Sequence, residues 1–253
     1  MKTAPRMRGF FKGRVLMKLL CIFALVLTMN SFAAKECNDN AFYGQDTVCA
    51  NSVEKYPSSR LVNYNNIEAT LVSKSDANKI FDNLKKYSKI PFQFNYAGCE
   101  ERAYEMARQL DLDGIKVLKT FATVDTNKPE RLYPPNYWRY HVAIGVLVKE
   151  GKDYVPYVID PSLMSGPVKA SEWVGKMKKH NKKMEVSFHV SEQKVYDPES
   201  RIVVSFDDED FRKSIAEDLE KHEMWSHEPD GGISSYQYER EMIEMQMNRW
   251  GMY

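Results

Sequence analysis

The sequence predicts an α+β domain, with an antiparallel sheet packed against a helix that begins at a cysteine and an additional helical segment at the C-terminus. Three observations lead there. Helical periodicity occupies 75–87 and then Cys99 to Gly114. Three strand-like runs follow one another at 115–124, 137–148 and 154–159, the last two joined by a short turn. Helical pattern returns in 207–253. Strands in succession, rather than strands alternating with helices, favour antiparallel pairing.

Taken in order, residues 1–33 read as a signal peptide. Lys2, Arg6, Arg8, Lys12, Arg14 and Lys18 are basic, and no acid precedes Glu36. The apolar run 19–29 is short for a span, which needs roughly 20 residues. Ser31-Phe32-Ala33 places small residues where a signal peptidase reads them, so cleavage is expected after Ala33. The alternative is an uncleaved anchor. Without that segment 30 basic residues face 35 acidic ones. A net-acidic chain argues against nucleic acid as a partner, because phosphate binding needs clustered Lys and Arg. No stable membrane association is expected after cleavage.

Residues 34–90 read as an N-terminal extension or short propeptide plus a helix, with weak strand signals at 60–62 and 67–72. The helix at 75–87 turns Ile80, Phe81 and Leu84 to one face, and Pro91 ends the segment. The catalytic domain is placed at 91–206. In its first helix Ala103, Met106, Ala107 and Leu110 recur at helical spacing, and Gly114 stops it. After the three strands, 171–183 looks helical and 186–206 mostly extended. The tail, 207–253, holds 13 acids against five bases and reads as two helices, 207–225 and 234–250. It is expected to pack on the domain; a partner-binding or protective segment is the other reading.

Outside the signal the cysteines are Cys37, Cys49 and Cys99. In an oxidising compartment cysteines tend to pair, and three leave one over. Cys37 and Cys49 lie close together in a polar stretch and are expected to form a disulfide, leaving Cys99 free.

Cys99 opens a helix, where the dipole and free N–H groups favour a thiolate. Gly98 before it allows close backbone approach. Glu100 and Glu101 oppose the thiolate, so a cationic partner is needed. His141 is the candidate, in the strand Tyr140-His141-Val142-Ala143-Ile144. A hairpin turning at Glu150-Gly151 places Asp160 directly opposite His141, with Cβ atoms ~5 Å apart. This is the order nucleophile, base, orienter. Singly, each has a blander role: a strand histidine is usually hydrogen-bonded in place, and an Asp before Pro161 usually forms a turn. Trp138, Tyr140 and Tyr137 line a substrate cleft or the core. The other histidines carry less: His222 and His227 do not share a helical face, His180 sits among lysines, and His189 in a strand. No HExxH, CxxC or phosphate-loop pattern occurs, so no metal or cofactor is expected.

At Gly98-Cys99 with Arg102-Ala103, at Tyr140–Ile144, at Ile159-Asp160-Pro161-Ser162-Leu163 and at Ser165-Gly166-Pro167-Val168, the sequence resembles bacterial secreted protein-glutaminases. The resemblance implies an α+β core similar to transglutaminases and papain-like peptidases, with the nucleophile at a helix N-terminus. It implies hydrolysis of the side-chain amide of protein-bound glutamine, with release of ammonia. It places the family's catalytic residues on Cys99, His141 and Asp160. Gly98, Trp138 and Tyr140 are the expected substrate-binding residues, and proteins or peptides with exposed glutamine the partners. A cysteine peptidase or transglutaminase would share the triad, and a non-catalytic exported binding protein would carry it unused.

Overall fold

The computed structural model describes residues 55–125, 127, 131–132, 138–198 and 201–249. Its elements run β1 (Arg60–Tyr64), β2 (Ile67–Val72), α1 (Lys74–Lys85), α2 (Cys99–Leu112), β3 (Leu118–Thr123), β4 (Tyr140–Glu150), β5 (Asp153–Ile159), β6 (Val168–Lys169), α3 (Ala170–Met177), β7 (Ser187–Glu192), α4 (Glu209–Ser226) and α5 (Ile233–Arg249). The signal segment, Cys37, Cys49 and Tyr137 lie outside the described residues. No helix among the described residues is long and apolar enough to cross a membrane.

The sheet is built on β4. β3 pairs antiparallel with its first half, from Thr123 opposite Tyr140 to Leu118 opposite Gly145. β5 pairs antiparallel with its second half, from Ile144 opposite Ile159 to Glu150 opposite Asp153. β2 joins in parallel at Leu147 and Val148. β1 extends the sheet beyond β2 through the turn Asn65-Asn66, where both residues have positive φ, and β7 extends it beyond β3. Since β5 begins pairing only at Ile144, the start of β4 has β3 alone beside it.

The β4–β5 turn corrects the expected register. The two turn residues are Gly151 and Lys152, not Glu150 and Gly151. Gly151 has φ +61 and takes the first central position, where a Gly-X hairpin turn requires a positive φ. Pairing therefore slips by two residues, and Asp160 lies diagonally from His141 instead of directly opposite. An even slip keeps every side chain on its face, so the two still share one side of the sheet.

Alternation along β4 divides the molecule into two layers. Val142, Ile144, Val146 and Val148 face α1 and α2 with Phe81, Ala103, Met106 and Phe121. Ala143, Val158 and Ala122 face α3 with Trp173, Met177 and Trp138. α1 starts at Ser73, whose hydroxyl accepts from the Asp76 N–H at 3.0 Å. α2 ends at Gly114 (φ 72), where the Ile115 N–H reaches back to the Leu110 carbonyl at 2.8 Å. Of the extended stretch expected at 186–206, only β7 pairs as a strand; Asp197-Pro198 interrupts the rest, leaving the isolated bridge Val195–Val203. α4 buries Ile215 and Leu219 in the same core as α2.

Candidate active site

Asp160 follows the last residue of β5, where Pro161 prevents the strand from continuing. The buried carboxylate has four donors. Oδ2 accepts from His141 Nε2 at 2.9 Å and from Trp173 Nε1 at 2.8 Å. Oδ1 accepts from the Ser162 N–H at 3.2 Å and from the Ser162 hydroxyl. Burial alone would raise its pKa, but the imidazole and these donors outweigh burial and bring it down to about 2. An ionised Asp160 requires the proton of a neutral His141 to sit on Nε2. The lone pair is then on Nδ1, which has no hydrogen-bond partner. Trp138 stacks on the imidazole at 4.3 Å and 7°. Trp138 packs in the core layer that was the alternative to lining a cleft.

Cys99, the one cysteine among the described residues, carries a free thiol at the first position of α2. Its thiol comes to β4 at Val142, whose N–H donates toward the sulfur. Val142 follows His141, and the thiol arrives from the α2 layer whereas the imidazole lies in the α3 layer. The thiol and the imidazole thus meet β4 at consecutive residues from opposite sides, where β3 alone pairs with the strand. In this structure the thiol donates to Glu100 Oε2 at 3.0 Å. Burial and the Glu100 carboxylate push the Cys99 pKa well up, against smaller opposing effects of Arg102 and the Val142 N–H. This reverses the lowering expected from the helix N-terminus: burial of the thiol, and then the adjacent Glu100 carboxylate, outweigh a dipole of about half a charge.

Tyr140 donates its hydroxyl to the other oxygen of Glu100. Gly98 has φ 77, and the space above it is filled by His222 of α4, so the close approach it permits is to that ring. Gly98→Ala would put a Cβ 2.5 Å from His222 Nδ1 in a left-handed backbone. It is expected to destabilise the domain by about 2–3 kcal/mol in chemical denaturation.

Three buried groups were not legible as site residues. Trp173 gave no signal beyond an apolar helix position. Lys119 shares the α2 face with Phe121 by strand alternation; it is fully buried without a hydrogen-bond partner, and burial lowers its pKa to about 7. His222 stacks on Phe94 at 4.8 Å and 13°. Burial, then Arg102 and Lys221, lower its pKa to about 4. The unfolded chain thus takes up a proton near pH 6.5 that the folded chain refuses until about pH 4, so stability falls as pH falls through that window. His222→Phe keeps the stacked ring and removes the proton site. It is expected to raise stability at about pH 5 by roughly 2 kcal/mol while changing little at pH 8, measured by thermal melts at both. His227, by contrast, is exposed and paired to Glu223 at 3.0 Å. Among the described residues no cluster of His, Cys, Asp and Glu is arranged to hold a metal ion.

Residues 77–177 match the family model described as glutaminase. No curated protein matches significantly. Among solved structures the chain is similar to the NMR structure of protein-glutaminase from Chryseobacterium proteolyticum, with 22% identity over 60% of this chain and 89% of that one and a TM-score of 0.49. It is similar to a crystal structure of protein-glutaminase, with 24% identity over 59% and 86% of the two chains and a TM-score of 0.49. A crystal structure of pro-protein-glutaminase shares 26% identity over 48% of each chain, with a TM-score of 0.41. The segment that matches the glutaminase family model, 77–177, contains Cys99, His141 and Asp160.

Proposed function

We propose that this chain is an exported protein-glutamine deamidase in which Cys99, His141 and Asp160 act as nucleophile, acid–base and orienting residue. The observation that carries the reading is the His141–Asp160 pair. A fully satisfied carboxylate fixes the imidazole and leaves its one unpartnered nitrogen, Nδ1, as a lone pair, and the thiol meets β4 at the next residue, Val142. The glutaminase family match supports amide hydrolysis as the chemistry. The resemblance of the segments around Cys99, His141 and Asp160 to protein-glutaminases supports glutamine within proteins as the substrate. The signal-like residues 1–33 support export, with Cys37 and Cys49 paired outside the cytoplasm.

In the reaction, the Cys99 thiol gives its proton to His141 Nδ1 and the sulfur attacks the glutamine Cδ. The C=O pair moves onto oxygen, and N–H groups at the start of α2 stabilise that charge. On collapse the C–N bond breaks, and His141 delivers the proton to the departing nitrogen, releasing ammonia and leaving a thioester on Cys99. Water then gives a proton to Nδ1 and attacks the thioester carbon. The C–S bond breaks with its electron pair going to sulfur, Nδ1 returns its proton to that thiolate, and glutamate remains in the substrate chain. Asp160 stays ionised and stabilises the imidazolium formed in each half. Trp138, Trp173 and Ser162 hold the pair in place.

The test is ammonia release from a folded glutamine-bearing protein, compared with free glutamine at equal side-chain concentration. The reading expects release from the protein at a kcat/KM at least about 10-fold higher. Equal or better use of free glutamine would remove the protein-substrate part of the proposal.

A further inference from the structure

In the resting structure the Cys99 thiol proton is held by Glu100 and not by the base proposed above. Sγ donates to Glu100 Oε2 at 3.0 Å, while His141 Nδ1 is buried and unpartnered. Glu100 is fixed in that position from its other side, because Oε1 accepts the hydroxyl of Tyr140. Tyr140 immediately precedes His141 on β4, so Glu100 bridges the nucleophile and the strand that bears the base.

We propose that Glu100 is a positioning residue, tethered by Tyr140, that holds Cys99 as a protonated thiol turned away from His141 until substrate engages. Activation is then a switch of one hydrogen bond: the S–H leaves Glu100 Oε2 and turns to His141 Nδ1. The proton passes to that nitrogen, and no other bond changes before the thiolate attacks. The inference rests on the reading of Cys99 as the nucleophile.

The surroundings oppose any simpler control of the thiol. α2 itself contributes Glu101 and Arg102. β3 contributes Lys119, and β4 contributes Tyr140. Tyr196 and Asp197 come from the segment after β7, and Tyr236 of α5 lies within electrostatic reach of Cys99, Glu100 and Glu101. Glu101, hydrogen-bonded to Tyr196 at 2.9 Å, is raised to about 7, chiefly by burial and then by Glu100. Lys119 is lowered to about 7 by burial. Above neutrality Glu101 gains a negative charge and Lys119 loses a positive one. Both changes make the thiolate harder to form, so neither group releases the thiol as pH rises. Glu100 is the only one of these groups in hydrogen-bond contact with the sulfur through its side chain.

The experiment follows alkylation of Cys99 by iodoacetamide on the full chain, read at the Cys99 peptide by mass spectrometry from about pH 5 to pH 10, without substrate. Glu100→Gln and Glu100→Ala, neutral side chains of different size, are both expected to move the midpoint down by at least ~1 pH unit. That corresponds to about tenfold faster labelling at neutral pH. Glu100→Asp, which keeps the charge, is expected to stay within about half a unit of the parent. Parent-like midpoints in both neutral variants would overturn the proposal. So would a shift in Glu100→Ala alone, which would mark loosened packing instead of charge. Because no substrate is present, this result is independent of the deamidase reading, which stands or falls on ammonia release by the Cys99→Ala protein.

Discussion

Cys99→Ala is expected to lower ammonia release from a glutamine-bearing protein by at least about 10⁴-fold while the domain stays folded. The loss is large because the covalent route through a thioester disappears, leaving water to attack an unactivated amide. The fold survives because the hold of α2 on the core comes from Ala103, Met106, Ala107 and Leu110, all buried, and from Arg102, which donates to the carbonyls of Phe94 at 2.7 Å and Ala97 at 2.9 Å. Removing one sulfur leaves a small void, and a cost of about 1–2 kcal/mol is expected in denaturant unfolding. The substitution also relieves Glu100 of a proton donor without burying a new polar group. Retained activity at the parent rate would move the nucleophile elsewhere and leave the family match describing a fold.

Asp160→Asn is expected to reduce kcat by about 10³–10⁴-fold without abolishing turnover, since this residue orients and stabilises charge but does not react. The carboxylate accepts from three side chains at once, His141, Trp173 and Ser162. An amide has one acceptor oxygen. It can serve the His141 and Trp173 pair or Ser162, and its NH₂ then faces groups that were donating. The negative charge that stabilises the imidazolium is lost in either orientation. Stability should fall too. The Asp160 pKa drops from 3.8 to about 2 on folding, so its contribution is complete above about pH 4 and is lost as pH falls toward 2. At neutral pH that contribution amounts to about 2 kcal/mol. Steady-state kinetics with a thermal melt on the same preparation checks both effects. A kcat within about tenfold of the parent would show that the His141–Asp160 bond is structural only.

Much of this site is written in local sequence. Gly98-Cys99 before an apolar helical stripe, Gly114 after it, and two alternating strands around Gly151 identify α2, β4 and β5 without reference to anything distant. The hairpin brought His141 and Asp160 together even though its register was read two residues out, because an even slip leaves side chains on the same face. What was not legible depends on contacts far apart in the chain. His222 reaches Phe94 and Gly98 from a helix more than a hundred residues later, and nothing in its own helical face announces that partner. Trp173 meets Asp160 only because α3 packs on the sheet face opposite α2. β2 enters the sheet in parallel beside β4, which no turn signal encodes. The sign of the Cys99 shift was misjudged for a physical reason. The helix dipole and Glu100 act on the thiol in opposite directions, and burial of the thiol, the largest cause of the rise, depends on tertiary packing that local sequence does not encode.

The central claim is that the site cleaves the side-chain amide of glutamine within a protein and leaves the backbone intact. Tandem mass spectrometry of a glutamine-bearing protein incubated with the enzyme tests this most directly. The expected result is conversion of glutamine to glutamate at exposed positions, matched mole for mole by ammonia, with no new chain termini. New termini, glutamine–lysine crosslinks in place of glutamate, or glutamine left unchanged would contradict the account.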